Sequence, residues 1–237
     1  MPAEARGGSP QLYRALGALL CYPDAELLAS LPDVAAAVAA ETAVSRERRE
    51  ALAGLVTHLQ ESPLLDLQEA YVELFDRTRR LSLHLYEHVH GDARQRGQAM
   101  AELADVYRNA GFELASPELP DYLPVLLEFC SVIPPDVRDA LLRDAAPLLG
   151  LLASRLEHRA SRYAAVPSAL AELGGVTGIA RDPESESEDL EAPGFEAMDA
   201  AWAEQPVEFG LGAGPESCGG STAPLLDIDP PAPRATS

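Results

Sequence analysis

Apolar residues recur along this chain at helical spacing. Leu12, Leu16 and Leu19, flanked by Tyr13 and Leu20, form a stripe that stops before Tyr22-Pro23. Asp24 is placed to cap a second helix, interrupted near Pro32 and resuming through an alanine run to about Ala40. Ser45 is the candidate cap of a third, with Leu52, Leu55, Val56 and Leu59 on one face. A fourth, from about Leu65 to Arg80, gathers Leu67, Tyr71, Leu74 and Phe75. Asp92 is expected to cap a fifth whose inner face is Ala99, Met100, Leu103, Val106, Tyr107 and Ala110, ended by Gly111. A sixth begins near Asp121, with Pro124 early enough to be tolerated and Leu123, Leu126, Leu127 and Cys130 inward. Pro134-Pro135 break it, and a further helix from Asp136 is kinked or split by Pro147. The last runs to about Tyr163, with Arg155, Arg159 and Arg162 near its negative end.

Sustained period-2 alternation is missing and there are only three Ile, so a sheet is disfavoured. The expected fold is all-α: one compact bundle of eight or nine helices over residues 1–175. From Gly174-Gly175 onward the chain turns to Pro, Gly, Ser and Glu. Residues 180–237 carry 13 acidic residues against two Arg. Such a segment buries too little apolar surface to offset its ordering entropy, so residues 176–237 are expected to be a disordered acidic tail. Within it Phe195, Met198, Trp202, Val207 and Phe209 are apolar islands, arranged as a short linear recognition motif would be, or simply part of a solubilising extension.

Charge narrows the partners. Acidic residues outnumber basic ones 38 to 18, a formal net charge of −20. That disfavours nucleic acid and anionic membrane, and suits a basic peptide or protein. All the basic residues are arginine, which we read as coding bias, so Arg at a given site carries no special weight over Lys. Cys21, Cys130 and Cys218 are odd in number and far apart, which argues against a disulfide framework and for a reducing cytoplasm. Cys21 and Cys130 sit in apolar helix faces and read as buried structural thiols. The N-terminus lacks a signal-peptide pattern, and no run approaches the ~18 apolar residues of a membrane span.

One stretch departs from the acidic background. His84, His88 and His90 gather around Glu87, and residues 77–96 carry five Arg against Glu87 and Asp92. His84-Leu-Tyr-Glu87-His88 spells H-x-x-E-H. On a helix both imidazoles would share a face and reach one Zn²⁺, with Glu87 as general base and Glu128 or Glu157 as conceivable third ligand. A zinc-dependent hydrolase is therefore one reading. The histidines bonding to neighbouring helices is a second, and a binding surface for a carboxylate or a cofactor pyrophosphate is a third. There is no glycine-rich phosphate loop, and nothing supports a nucleophilic catalyst.

The run from Tyr71 through Phe75, Arg77, Arg80, Ser82, His84, Glu87, His88 and His90 to Gly91 resembles the NarJ-type chaperones, the delta subunit family of respiratory nitrate reductase. So does Arg96-Gly-Gln-Ala-Met100 after it. Leu19-Leu-Cys21-Tyr22-Pro23-Asp24 is similar to the family's first-helix ending. Glu118-Leu-Pro120-Asp121-Tyr122-Leu-Pro124, continuing to Glu128-Phe129, is similar to its hinge segment. There the wider redox-enzyme maturation chaperones carry E-x-x-D-H, and Tyr122 stands where many relatives have His. The resemblance covers roughly residues 10–165, and Asp199 to Phe209 is similar to tails in the family.

The resemblance implies an all-helical, non-catalytic cytoplasmic chaperone with no cofactor of its own. Its partner would be the N-terminal segment of the nitrate reductase alpha subunit, held while the molybdenum cofactor is inserted, with contact to that cofactor in transit. Glu87, Asp121, Tyr122 and Glu128 would meet the client peptide. Arg77, Arg80, His84, His88 and His90 would fix neighbouring loops or touch the cofactor. For Asp121 a plain helix cap is the competing reading, and Pro120 and Pro124 set the hinge geometry. A basic amphipathic peptide would be drawn to a −20 protein and settle as a helix in a groove. A helical adaptor without a redox client is the remaining alternative.

Overall fold

In a computed structural model, residues 7–77, 79–88, 93–113 and 118–176 are described. Eight α-helices occupy them. The first, α1, spans Pro10–Leu19; Ser9 caps it, its side chain accepting from Leu12 N. Asp24 caps α2, Ala25–Ala40, as its position suggested. Pro32 lies inside α2 without interrupting it. A lost hydrogen bond there costs about 3 kcal/mol. Buried Leu27 and Leu31 before the proline, and Val34 and Val38 after it, form one stripe that holds the helix to α1 and α3.

Ser45 caps α3, Arg46–Glu61, which buries Leu52, Leu55, Val56 and Leu59 as expected. The next helix, α4, covers Leu64–Phe75 and stops five residues short of the predicted end. The chain then runs through a short 3₁₀ turn at Arg79–Leu81. A second turn of that kind, Leu85–His88, precedes α5, Ala93–Asn109. Gly111, with φ +84°, follows α5; the left-handed conformation that ends the helix favours glycine. The expected cap Asp92, the turn residue Gly91 and the candidate site residue His90 lie outside the described residues, as does the tail with Trp202.

Two corrections concern the C-terminal half. After α6, Leu123–Cys130, helix α7 runs unbroken from Pro135 to His158, so Pro147 does not split it. Buried Leu142, Ala145 and Ala146 before the proline and Leu149, Leu152 and Leu156 after it stay on one packed face. And α7 ends at His158, not Tyr163. Ala160 takes a left-handed φ of 52°, a 3₁₀ turn follows at Arg162–Ala164, and a separate helix α8 covers Ala165–Leu173. Pro167 sits in the first turn of α8, where its missing N–H has no partner to lose. Val166 to Ala171 are buried all round, as a helix enclosed by neighbours must be.

The core sits where α8 lies against α7 and α3, and where α1 packs between α2 and α6. Gly17 allows the last approach: a Cβ there would stand 3.4 Å from Leu127 Cβ and from the Pro124 carbonyl. No described helix is long and apolar enough to cross a membrane.

Candidate functional site

The segment expected to hold the site is mostly not helical. Residues 82–84 join the two 3₁₀ turns as a short strap against the start of α6, with Leu81, Ser82, Leu83 and Leu85 buried. His84 forms an antiparallel bridge with Tyr122, closed by Leu85 N donating to Asp121 O (3.1 Å) and Leu123 N to Leu83 O (2.9 Å). The Leu-Ser-Leu-His-Leu spacing is too short to mark this strap in a sequence otherwise patterned for helices.

Asp121 is wholly buried. Its Oδ2 accepts from Tyr86 N at 3.0 Å, and its Oδ1 lies 3.2 Å from His84 Nδ1. Tyr122, not Asp121, occupies the cap position of α6, and that position has no side-chain cap. Asp121 is therefore neither the helix cap nor a surface contact in this arrangement; it clamps the strap to α6. The bond to Asp121 raises the His84 pKa above its ordinary value, against the opposing effect of partial burial. The His84 ring lies 5.1 Å from the ring of Tyr122.

His88 is held differently. Its Nε2 lies 2.8 Å from the Ser82 carbonyl, an acceptor only, and its Nδ1 lies 3.0 Å from an Arg155 guanidinium nitrogen, a donor only. That pattern places the proton on Nε2 and leaves the ring neutral. Burial lowers its pKa, and the Arg155 charge adds to the effect. Both ring nitrogens of His88 are thus engaged, and the two imidazoles serve separate partners. The helix that would have aimed them at one Zn²⁺ is not formed, and no group of three His, Cys, Asp or Glu among the described residues is arranged to hold a metal.

The two histidines therefore shift in opposite directions from the ordinary imidazole value. In a ¹H–¹³C titration His84 is expected to titrate above about 6.5 and His88 below it. The signs oppose. The His84 contribution to stability is complete below about 6.5 and is lost as pH rises through its raised folded value. The His88 contribution is complete above about 6.5 and is lost as pH falls through its lowered one. Swapped assignments would overturn the hydrogen-bond scheme.

The remaining predicted residues are dispersed. Glu87 is spanned by Arg96 at 3.2 Å on the side of the strap that faces α5. Arg77 and Arg80 are exposed at the approach to the strap, and the Arg80 carbonyl accepts from Arg155. Glu128 is exposed on α6, nearly two turns beyond Tyr122. It lies beside Cys21, whose thiol donates to the Gly17 carbonyl at 3.5 Å: desolvation of the sulfur on that side first, then the Asp24 and Glu128 carboxylates, raise its pKa. Cys21, expected buried, is exposed, because it follows the end of α1; Cys130 is buried. Burial pushes the Cys130 thiol up to about 12, the state of an inert thiol.

What the sequence analysis did not assemble is the neighbourhood of Tyr122. Its phenol sits beside that of Tyr71, with Cys21, Glu118 and Asp76 nearby. Tyr71 donates to the Leu20 carbonyl at 2.8 Å and meets Tyr22 edge-on at 5.6 Å. The first-helix ending, the end of α4 and the hinge segment, quoted separately as resemblances, thus meet at one place.

The comparisons bear on this arrangement. A family model described as nitrate reductase delta subunit matches residues 41–166. The nitrate reductase molybdenum cofactor assembly chaperone NarJ of Escherichia coli K12 is 41% identical over 193 residues, 81% of each chain. The probable assembly chaperone NarW of the same strain is 39% identical over 205 residues, 84% of each chain. The probable NarJ of Bacillus subtilis is 35% identical over 153 residues, 64% of this chain and 82% of that one. With the family model covering more than half of the chain and these identities spanning most of it, the chain belongs to the nitrate reductase delta subunit family.

Proposed function

We propose that this protein is a dedicated, non-catalytic assembly chaperone of the cytoplasm. It would bind the N-terminal segment of the nitrate reductase alpha subunit and assist insertion of the molybdenum cofactor. The observation that carries the reading is the likeness, over four-fifths of both chains, to a relative named as such a chaperone. The charge supports it: a −20 protein attracts a basic leader, raising encounter rate and biasing register. So does the hinge. A buried Asp121–His84 clamp holds Tyr122 half exposed with Glu128 on the same helix, an aromatic face and a carboxylate suited to an amphipathic basic peptide.

In this reading Tyr122 and Glu128 touch the peptide, Asp121 acts by positioning, and Glu87 joins through exchange of its Arg96 partner. The exposed Arg77 and Arg80 are the groups we assign to the cofactor's phosphates in transit, with His84 and His88 fixing the strap. His90 is assigned to the same strap on sequence alone. We also propose that residues 1–175 form the working domain and 176–237 an extension.

The test is calorimetry with a peptide copying the first residues of the alpha subunit. Binding is expected across pH 6 to 8, and Tyr122→Ala is expected to weaken it roughly tenfold, about 1.4 kcal/mol. A chain ending at residue 176 should bind equally well. No heat at any pH from 6 to 8 would remove the reading. A pull-down from nitrate-respiring cells that captures other helical segments but no reductase would favour the adaptor alternative.

A further inference from the structure

One exposed face is left over by the packing. On α4, Leu65 is 72% exposed and Val72 37%, and with Gln68 they share a side of the helix. Gln68 donates to the Pro23 carbonyl at 2.9 Å, which joins this side to the α1–α2 turn, where Tyr22 is 48% exposed and Cys21 is open. Tyr22 leans on Tyr71, and Tyr71 leads to the half-buried Tyr122. Exposed Leu65, Val72 and Tyr22 and part-exposed Tyr122 therefore border one another around the buried Tyr71 ring, a strip from α4 over the turn to the start of α6.

Charge selects what covers it. No basic residue occurs from Ala15 to Ser45, from Leu64 to Asp76, or from Asn109 to Val137, the segments that supply all three walls. Exposed carboxylates border the strip: Asp24 on the turn, Asp76 at the end of α4, Glu128 on α6. A second copy of this chain would bring like charge to like charge, which disfavours self-association here. A cationic segment meets the opposite condition.

We propose that this strip, formed by Cys21–Asp24, the Leu65–Asp76 face of α4 and Tyr122–Glu128, is the seat of a basic amphipathic segment. Apolar side chains of that segment lie on Tyr22, Leu65 and Val72. Its arginine or lysine groups stack on the tyrosines and reach Asp24, Asp76 and Glu128. The inference rests on the chaperone reading, since it names the surface on which the client leader would lie; it adds the α1–α2 turn and α4 to the hinge.

Cys21 is a native reporter of this seat. In full-length Cys218→Ser protein it is the exposed described thiol, and buried Cys130 is the internal control. Saturating alpha-subunit peptide is expected to slow maleimide labelling of Cys21 by roughly tenfold or more, leaving Cys130 unchanged. Tyr22→Ala and Glu128→Gln, both at exposed positions, should each weaken peptide binding by roughly tenfold with the melting temperature unchanged. Raising salt should weaken binding further in the wild type than in Glu128→Gln. If calorimetry shows binding while Cys21 labels at its free rate, the seat is elsewhere and this inference falls with the chaperone reading intact. Absence of binding by the wild type overturns the chaperone reading itself.

Discussion

Asp121→Ala is expected to destabilise the protein by about 3 kcal/mol, because it removes one partner from a buried charged pair and strands two donors. Asp121 has no exposed surface, accepts from Tyr86 N and holds His84 Nδ1, so its loss frees the strap from α6 at both points. Asp121→Asn keeps the shape and one acceptor, and should cost about half as much. The pH dependence identifies the cause. The pair contributes fully below about 6.5, and its contribution fades as pH rises through the raised folded pKa of His84. The difference between wild type and Asp121→Asn in urea unfolding should therefore be larger at pH 6 than at pH 9. A pH-independent difference would mean that the hydrogen bond to Tyr86 N carries the whole effect. Because Asp121 fixes the main chain on either side of the His84–Tyr122 bridge, client affinity should fall even where the variant remains folded.

Tyr107→Ala is expected to be the other severe change, at about 4 kcal/mol, and its effect should stay local. Helix α5 is polar over most of its length, and its fully buried anchors are Leu103 and Tyr107. The Tyr107 ring meets Phe129 edge-on at 4.3 Å, and its hydroxyl donates to the Pro120 carbonyl at 2.8 Å. Removing the ring leaves Leu103 and part-buried Val106 to hold seventeen residues of helix. A helix of that length and composition does not persist alone in water. Hydrogen exchange should therefore speed up across 93–109 while α1, α7 and α8 keep their protection. Tyr107→Phe, which loses the hydroxyl alone, should cost about 1 kcal/mol. If the alanine variant lowers protection evenly across all helices, α5 is part of the cooperative core after all.

The helices themselves were legible residue by residue. Ser45 and Asp24 cap where expected, and Leu52, Leu55, Val56 and Leu59 face inward, because capping and the 3.6-residue stripe are local properties. The errors also share a cause. The sequence predicts an interruption near Pro32 and a kink or split at Pro147, but buried stripes on either side of each proline hold the helix through it. The H-x-x-E-H spelling suggests a helical metal face, whereas the strap pairs through His84 with Tyr122 and passes into a 3₁₀ turn at Leu85–His88. Cys21 was placed inside from its apolar neighbours, although it lies beyond the last turn of α1.

From its residues alone the chain declares an all-helical body, a strongly acidic character and the motifs of its family, all of which depend on neighbours in sequence or on simple counting. Tertiary structure decided the chemistry of the site. Asp121 meets His84 across thirty-seven positions, His88 meets Arg155 across sixty-seven, and Tyr22 reaches the hinge only through Tyr71. Opposite pKa shifts for two histidines four residues apart follow from those distant partners and from burial, which no local pattern encodes.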